Sequence, residues 1–266
     1  MNTTLDKGLI ETVFQRPRTL TEAPTHYCPG CGHGIIHRLV AEAIDDLGLR
    51  EKTIIVTSIG CSVFAYDYFD LDAIEAPHGR APAVATAIKR CNPSRNIFTY
   101  QGDGDLAAIG TAEIVHAAAR GENITVIFVN NAIYGMTGGQ LAPTTPLGVP
   151  TTSTPAGREA GLAGYPLRIS EMLATLEGVA YIARYSTHNP AQVLKAKRAI
   201  KLAFEVQQAK LGLSLIEVLS ACPINWGVTP QQSLDWIVKK MLPVFPLGEI
   251  KITEKVKALI GEKKND

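Results

Sequence analysis

Two short runs of small, acidic and amide residues have the types and spacing to do chemistry: Gly102-Asp103-Gly104-Asp105 and Asn130-Asn131. Carboxylate and amide oxygens are hard donors suited to Mg²⁺, which completes its shell readily with phosphate oxygens. Glycines let the backbone approach a phosphate, and a helix start behind them offers free N–H groups. The pair reads as a Mg²⁺–phosphate cradle with Asp103 and Asn131 as ligands. Cysteines form the second set: Cys28 and Cys31 in a C-x-x-C, then Cys61, Cys91 and Cys222. Several thiolates together suit zinc or an iron–sulfur cluster; singly, buried cysteines are small hydrophobes.

The elements around these runs must position them. Asn96–Tyr100 is an apolar run that ends in the glycines. A helical pattern follows to about Arg120, with Gly121 where a stop belongs, and Ile124–Val129 leads into Asn130-Asn131. Strand, turn, helix and strand make a βαβ unit, whose right-handed crossover leaves its strands parallel. Asp103 and Asn131 then fall beyond the carboxyl ends of neighbouring strands, where open α/β sheets bind ligands. Elsewhere the periodicity predicts a helix over about His33–Leu47, with Ile35, Ile36, Leu39, Val40, Ala43, Ile44 and Leu47 on its apolar face. Further helices are predicted over Ala81–Arg90, Ile169–Leu176 and from Asn189 to about Lys210. Strands are predicted at Thr53–Thr57, Val179–Tyr185 and Leu213–Leu219. Five strands alternating with helices imply one α/β domain over residues 1–266, a doubly wound, mainly parallel sheet with helices on both faces. An arm at 1–31 precedes it and a charged helical tail follows at 231–266.

This topology sorts the cysteines. Cys61 and Cys222 lie just past strand ends, and the C-x-x-C sits at the start of a helix that runs back across the sheet. All four belong at the edge that carries Asp103 and Asn131, whereas Cys91 ends its helix at the opposite edge. A cluster site, a zinc site and a lone C-x-x-C turn beside core thiols all remain open on spacing alone. His33 and His37, at i and i+4, offer a weaker metal pair. The stretch 135–166, rich in Gly, Pro and Thr, has no period and is either a functional loop or a linker.

Composition excludes other classes. The formal net charge is +1, so there is no basic footprint for nucleic acid. No apolar run reaches the roughly 20 residues of a membrane span, and the first residues lack the layout of a signal peptide. These features predict a soluble, cytoplasmic protein without membrane partners.

Gly102-Asp103-Gly104, separated from Asn130-Asn131 by residues 105–129, resembles the thiamine diphosphate motif. Four further runs agree in order: Cys28-Pro29-Gly30-Cys31-Gly32-His33, Ile59-Gly60-Cys61-Ser62, His78-Gly79-Arg80, and Tyr134-Gly135-Met136-Thr137-Gly138-Gly139-Gln140. Together they resemble the β subunit of 2-oxoacid:ferredoxin oxidoreductases over roughly residues 20–230. The resemblance implies a thiamine diphosphate-binding fold. It implies Mg²⁺ held by the Asp103 and Asn131 side chains and the Ile133 carbonyl. Gly102, Gly104, Asp105, Gly135 and Met136 would surround the diphosphate, with Ile59, Gly60, Cys61, Ser62 and His78 against the cofactor. Cys28, Cys31, Cys61 and Cys222 would hold a [4Fe–4S] cluster. His78 is the candidate catalytic side chain, in an orienting role.

The implied reaction is oxidative decarboxylation of a 2-oxoacid with coenzyme A to acyl-CoA and CO₂, electrons passing through the cluster to ferredoxin. An α subunit would supply the pyrimidine-binding half-site. Gly138 stands where some relatives carry a Lys, so a charged substrate tail would need Arg158, Arg80 or another subunit. The Thr137–Gln140 wording leans towards 2-oxoglutarate or branched-chain substrates. The competing readings are a non-oxidative thiamine-dependent decarboxylase or synthase subunit with a zinc or empty cysteine site, and a nucleotide-binding or scaffold module.

Overall fold

A computed structural model describes residues 15–262. The first part of the arm and the last four residues lie outside it. Seven strands form one sheet in the order β2-β1-β3-β4-β6-β5-β7. They are β1 Thr53–Thr57, β2 Asp72–Glu75, β3 Asn96–Gly102, β4 Thr125–Asn130, β5 Val179–Ser186, β6 Leu213–Leu219 and β7 Gly248–Ile252. All neighbours pair in parallel except β5 and β7, which are antiparallel. The helices are α1 His33–Asp46, α2 Ala65–Tyr68, α3 Ala81–Cys91, α4 Thr111–Ala119, α5 Ala160–Ala163, α6 Ile169–Ala174, α7 Pro190–Gln208, α8 Pro223–Trp226, α9 Pro230–Trp236 and α10 Glu254–Glu262.

The central strands are buried on both faces, as a sheet covered by crossover helices requires. In β4, Ile127 and Val129 face a core shared with α1 and α7, while Val126 and Phe128 face one shared with α3, α4 and α6. Each such large apolar side chain contributes roughly 1.5–3 kcal/mol when buried, so the carboxyl edge of β3, β4 and β6 is a rigid platform. A third cluster of Ala132, Leu219, Ala221, Ile237, Met241 and Phe245 packs at that edge. Among the described residues no helix is long and apolar enough to cross a membrane.

Four expectations change. The tail is not helix alone: β7 lies within it, paired to β5. β2 also extends the sheet, and all four of its residues are exposed, so it carries no apolar pattern that would betray a strand. Ile35 on α1 is 40% exposed rather than part of its buried face. The helix expected after Gly104 is broken. Gly110 N–H reaches back to the Asp105 carbonyl at 2.8 Å, a π turn over Asp105–Ile109, before α4 begins. Such turns insert one residue and re-aim the side chains before them.

Candidate functional site

One cavity of about 300 Å³ opens at the carboxyl edge of β1, β3 and β4. Asp103, Asn131 and Ile133 line it, as do Ile59, Gly60, Cys61, Ser62, His78, Gly102, Gly104, Asp105, Gly135 and Met136. The sequence-predicted cofactor and Mg²⁺ residues are thus brought together without exception. His33, Ile109, Val129, Tyr134 and Thr137 complete the lining. Gly104 is required by close approach: a Cβ there would stand 2.0 Å from the Tyr134 ring.

The turn after β4 aims its groups at this cavity. Ala132 adopts a left-handed φ of 59°, and its N–H donates to Asn130 Oδ1 at 3.0 Å. The Ile133 N–H donates to Asn131 Oδ1 at 3.2 Å. Asn130 is held in turn by Glu217 of β6, which accepts from its Nδ2 at 2.7 Å. Glu217 also accepts from Ser170 Oγ at 2.5 Å and from Arg184 Nε at 2.7 Å. Arg184 is fully buried on β5, and its two other nitrogens reach Glu171 at 2.8 and 2.7 Å. Burial pushes the Glu171 carboxyl up, but the bonds from Arg184 and Arg168 outweigh it and hold the group at about 2. An ionic chain thus runs from the protein surface to the back of the Asn130-Asn131 turn.

Asp103 is backed from the other side. Its Oδ1 accepts from Gly104 N–H at 2.8 Å and its Oδ2 from Thr144 Oγ at 2.7 Å. Thr145 Oγ donates to the Ala132 carbonyl at 2.6 Å. Burial pushes the Asp103 carboxyl up to about 7, a cost that a bound divalent cation would offset. A buried carboxylate, an amide oxygen and a nearby backbone carbonyl fit Mg²⁺, which keeps its other positions for phosphate or water.

Asp105 does not offer a free carboxylate to the cavity. Its Oδ1 accepts from Ser58 Oγ at 2.7 Å and Gly79 N–H at 2.6 Å, and lies 2.5 Å from His78 Nδ1. Its Oδ2 accepts from Gln101 Nε2 at 2.6 Å. The carboxylate therefore fixes the His78 ring, a role the sequence motif does not reveal.

The cysteines sort as the topology predicts. The Cys31 and Cys61 thiols are pushed up, to about 12 and about 11, by burial first and then by neighbouring thiols. Those neighbours are Cys222 and Cys28 for both, and Cys61 for Cys31. Burial also raises Cys222, with Cys28 contributing. Cys91, exposed at the end of α3, enters none of these interactions. Three thiols raised by burial and by their neighbours, with Cys28 beside them, are a donor set that a cationic metal centre would relieve. Among the described residues no three His, Cys, Asp or Glu side chains are gathered to hold a single metal ion. His33 and His37 are not a metal pair. His33 Nδ1 hydrogen-bonds Tyr100 Oη at 2.8 Å, His37 Nε2 bonds Tyr27 Oη at 3.1 Å, and burial pushes both imidazoles well below their usual range.

Neither suggested arginine faces the cavity. Arg158 is buried and donates to the Ala142, Pro143 and Thr145 carbonyls on one arm of the 135–166 loop and to Ala163, Gly164 and Tyr165 on the other. Arg80 pairs with Glu113. The loop is therefore a built structure that presents Thr144, not a linker. Thr144, Glu217 and Arg184 were beyond a motif-based reading. A Glu inside LSLIEVL and an Arg inside VAYIARYS were the available signals, since lone charges in buried strands need partners.

Comparison with known proteins agrees with this geometry. The family described as "Thiamine pyrophosphate enzyme, C-terminal TPP binding domain" matches residues 58–218. The chain is 46% identical over 238 residues to the ketoisovalerate oxidoreductase subunit VorA of Methanothermobacter marburgensis, covering 90% of this chain and 50% of that one. The chain thus spans about half the length of that relative. It is 38% identical to the 2-oxoglutarate synthase subunit KorB of Archaeoglobus fulgidus, covering 79% of this chain and 74% of the relative. Among solved structures it is similar to a 2-oxoglutarate:ferredoxin oxidoreductase from Magnetococcus marinus with 2-oxoglutarate, coenzyme A and succinyl-CoA bound. That match has a TM-score of 0.71 at 25% identity, over 94% of this chain and 90% of the other.

Proposed function

The chain belongs to the thiamine pyrophosphate enzymes, among the β subunits of 2-oxoacid:ferredoxin oxidoreductases, and from that premise we propose that it forms half of an oxidative decarboxylase active site. The observation that carries this reading is the single cavity in which the Gly102–Asp105 run, the Asn131 turn and Cys61 meet. Asp103, Asn131 and the Ile133 carbonyl would hold Mg²⁺ against the diphosphate, and Gly104 and Gly135 would give it room. Cys28, Cys31, Cys61 and Cys222 would hold a [4Fe–4S] cluster, one thiolate per iron, so its ligands need not converge on one point. When bound, thiamine diphosphate would supply the carbon nucleophile and electron sink for decarboxylation, and a cluster on the four cysteines would supply one-electron transfer.

This chain's own residues position the reaction. Asp105 holds His78 at the cavity wall, where the ring can hydrogen-bond cofactor or substrate. Val129, Ile59 and Ile133 exclude water from one side. An α subunit would close the other side and supply the pyrimidine half-site, coenzyme A would take the acyl group, and ferredoxin would accept electrons. Among the described residues no Lys or Arg lines the cavity, Arg158 is spent on its own loop and Arg80 on Glu113. With the ketoisovalerate relative, this favours a 2-oxoacid with an apolar side chain, such as a branched-chain one.

The test is anaerobic purification with the α subunit, metal and thiamine analysis, and acyl-CoA formation over a panel of 2-oxoacids. Iron, magnesium and thiamine diphosphate should co-purify, and branched-chain acids should outpace 2-oxoglutarate. A thiamine-loaded but iron-free protein would establish the non-oxidative reading instead. Cys222→Ala should lower iron content while Cys91→Ala leaves it intact.

A further inference from the structure

The cofactor cavity and the cysteine edge share a polar side chain that neither motif contains. Asn225, on α8, donates from Nδ2 to Cys222 Sγ at 3.3 Å and to the Gly135 carbonyl at 3.0 Å. An amide nitrogen has two hydrogens, so both are committed, and the group cannot turn without losing a partner. The surroundings leave it little freedom. A Cβ at Gly139 would stand 3.2 Å from Asn225 Oδ1, and one at Gly135 would stand 3.2 Å from Cys61 Sγ. The glycine turn thus lies directly against one cysteine of the set and is tied to another. The helix that carries Asn225 is fixed as well. The Trp226 indole N–H donates to the Asn131 carbonyl at 3.2 Å, and its ring stacks on Trp236 at 3.8 Å.

We infer that Asn225 is a positioning residue that couples the cysteine-held redox centre to the diphosphate turn, tuning the centre's potential through Cys222 while anchoring Gly135. The inference rests on the functional reading given above. Hydrogen bonds to the sulfurs of an iron–sulfur centre favour its reduced, more negative form and so raise its potential. The second hydrogen holds the carbonyl of the turn against which the diphosphate would lie. Because one amide serves both, a change at either partner is felt at the other, and the two effects are reciprocal as linked equilibria must be.

The test uses the assembled enzyme with its α subunit and two variants. Asn225→Leu keeps the shape and removes both donors; Asn225→Ser keeps one short donor that cannot serve both partners. Redox titration followed by electron paramagnetic resonance reads the centre, and equilibrium dialysis of thiamine diphosphate with Mg²⁺ reads the turn. With Asn225→Leu, the midpoint should fall to lower potential and cofactor affinity should weaken roughly 5-fold, the worth of one hydrogen bond. Asn225→Ser should restore at most one of the two. An unchanged midpoint in an iron-loaded variant overturns the inference. So does a lowered midpoint with unaltered cofactor affinity, since the two sites would then be independent. If wild-type enzyme itself holds no iron, the functional reading fails and the inference with it.

Discussion

Around Asp103 and Asn131 the chain supplies its own backing. Both side chains are buried, Thr144 and Thr145 press from the 135–166 loop, and the Glu217–Arg184–Glu171 chain supports Asn130 from behind. At the mouth of the same cavity Ile109 and Met136 are each 49% exposed, and neither packs into a core cluster. One end of the cavity is preorganised and the other is unfinished. Electrostatic placement of metal and phosphate tolerates little movement, because its benefit depends on donors being fixed before the ligand arrives. The reacting end can be left to a partner that brings its own groups.

This contrast can be broken at several depths. Asp103→Ala removes the buried carboxylate itself and should weaken Mg²⁺-dependent thiamine diphosphate binding by at least about 100-fold; calorimetric titration that shows intact binding would refute the ligand assignment. Glu217→Ala leaves Arg184 buried with only Glu171 as an acidic partner. It should cost about 3 kcal/mol of stability, read from denaturant midpoints, and loosen cofactor binding besides. Thr144→Val keeps the shape and deletes the hydrogen bond to Asp103. About 10-fold lower Mg²⁺ affinity is expected, with folding nearly unchanged. Ile109→Ala is the smallest step. The isolated subunit should stay within about 0.5 kcal/mol of wild type, while acyl-CoA formation by the proposed complex with an α subunit falls. A large stability loss there would mean that the mouth is as firmly built as the turn behind it.

The same division decides what could be read from the sequence. The Gly102–Asp105 and Asn130-Asn131 runs were legible because close backbone approach demands glycine and the proposed metal binding calls for oxygen donors, both as fixed residue types. The buried strands were legible because an apolar run between turns has few other meanings. β2 was not, since an exposed edge strand such as Asp72–Glu75 needs no apolar face. Thr144 and Asn225 were not, because a single hydroxyl or amide acts by where the chain places it, and nothing in its neighbours marks that place. Arg158 was misjudged for a related reason. A lone Arg in a loop reads as a free cation, yet six backbone carbonyls accept from it.

That guanidinium also sets how the loop can move. Its bonds reach residues 142–145 on one arm and 163–165 on the other. Neither arm can peel away without breaking several bonds at once, so the segment should open as one cooperative unit rather than fray from its tip. Thr144 rides on it. The hydroxyl behind Asp103 would then let go only when the whole loop lifts, so the firmness of that carboxylate's backing would be written in the latching of one arginine.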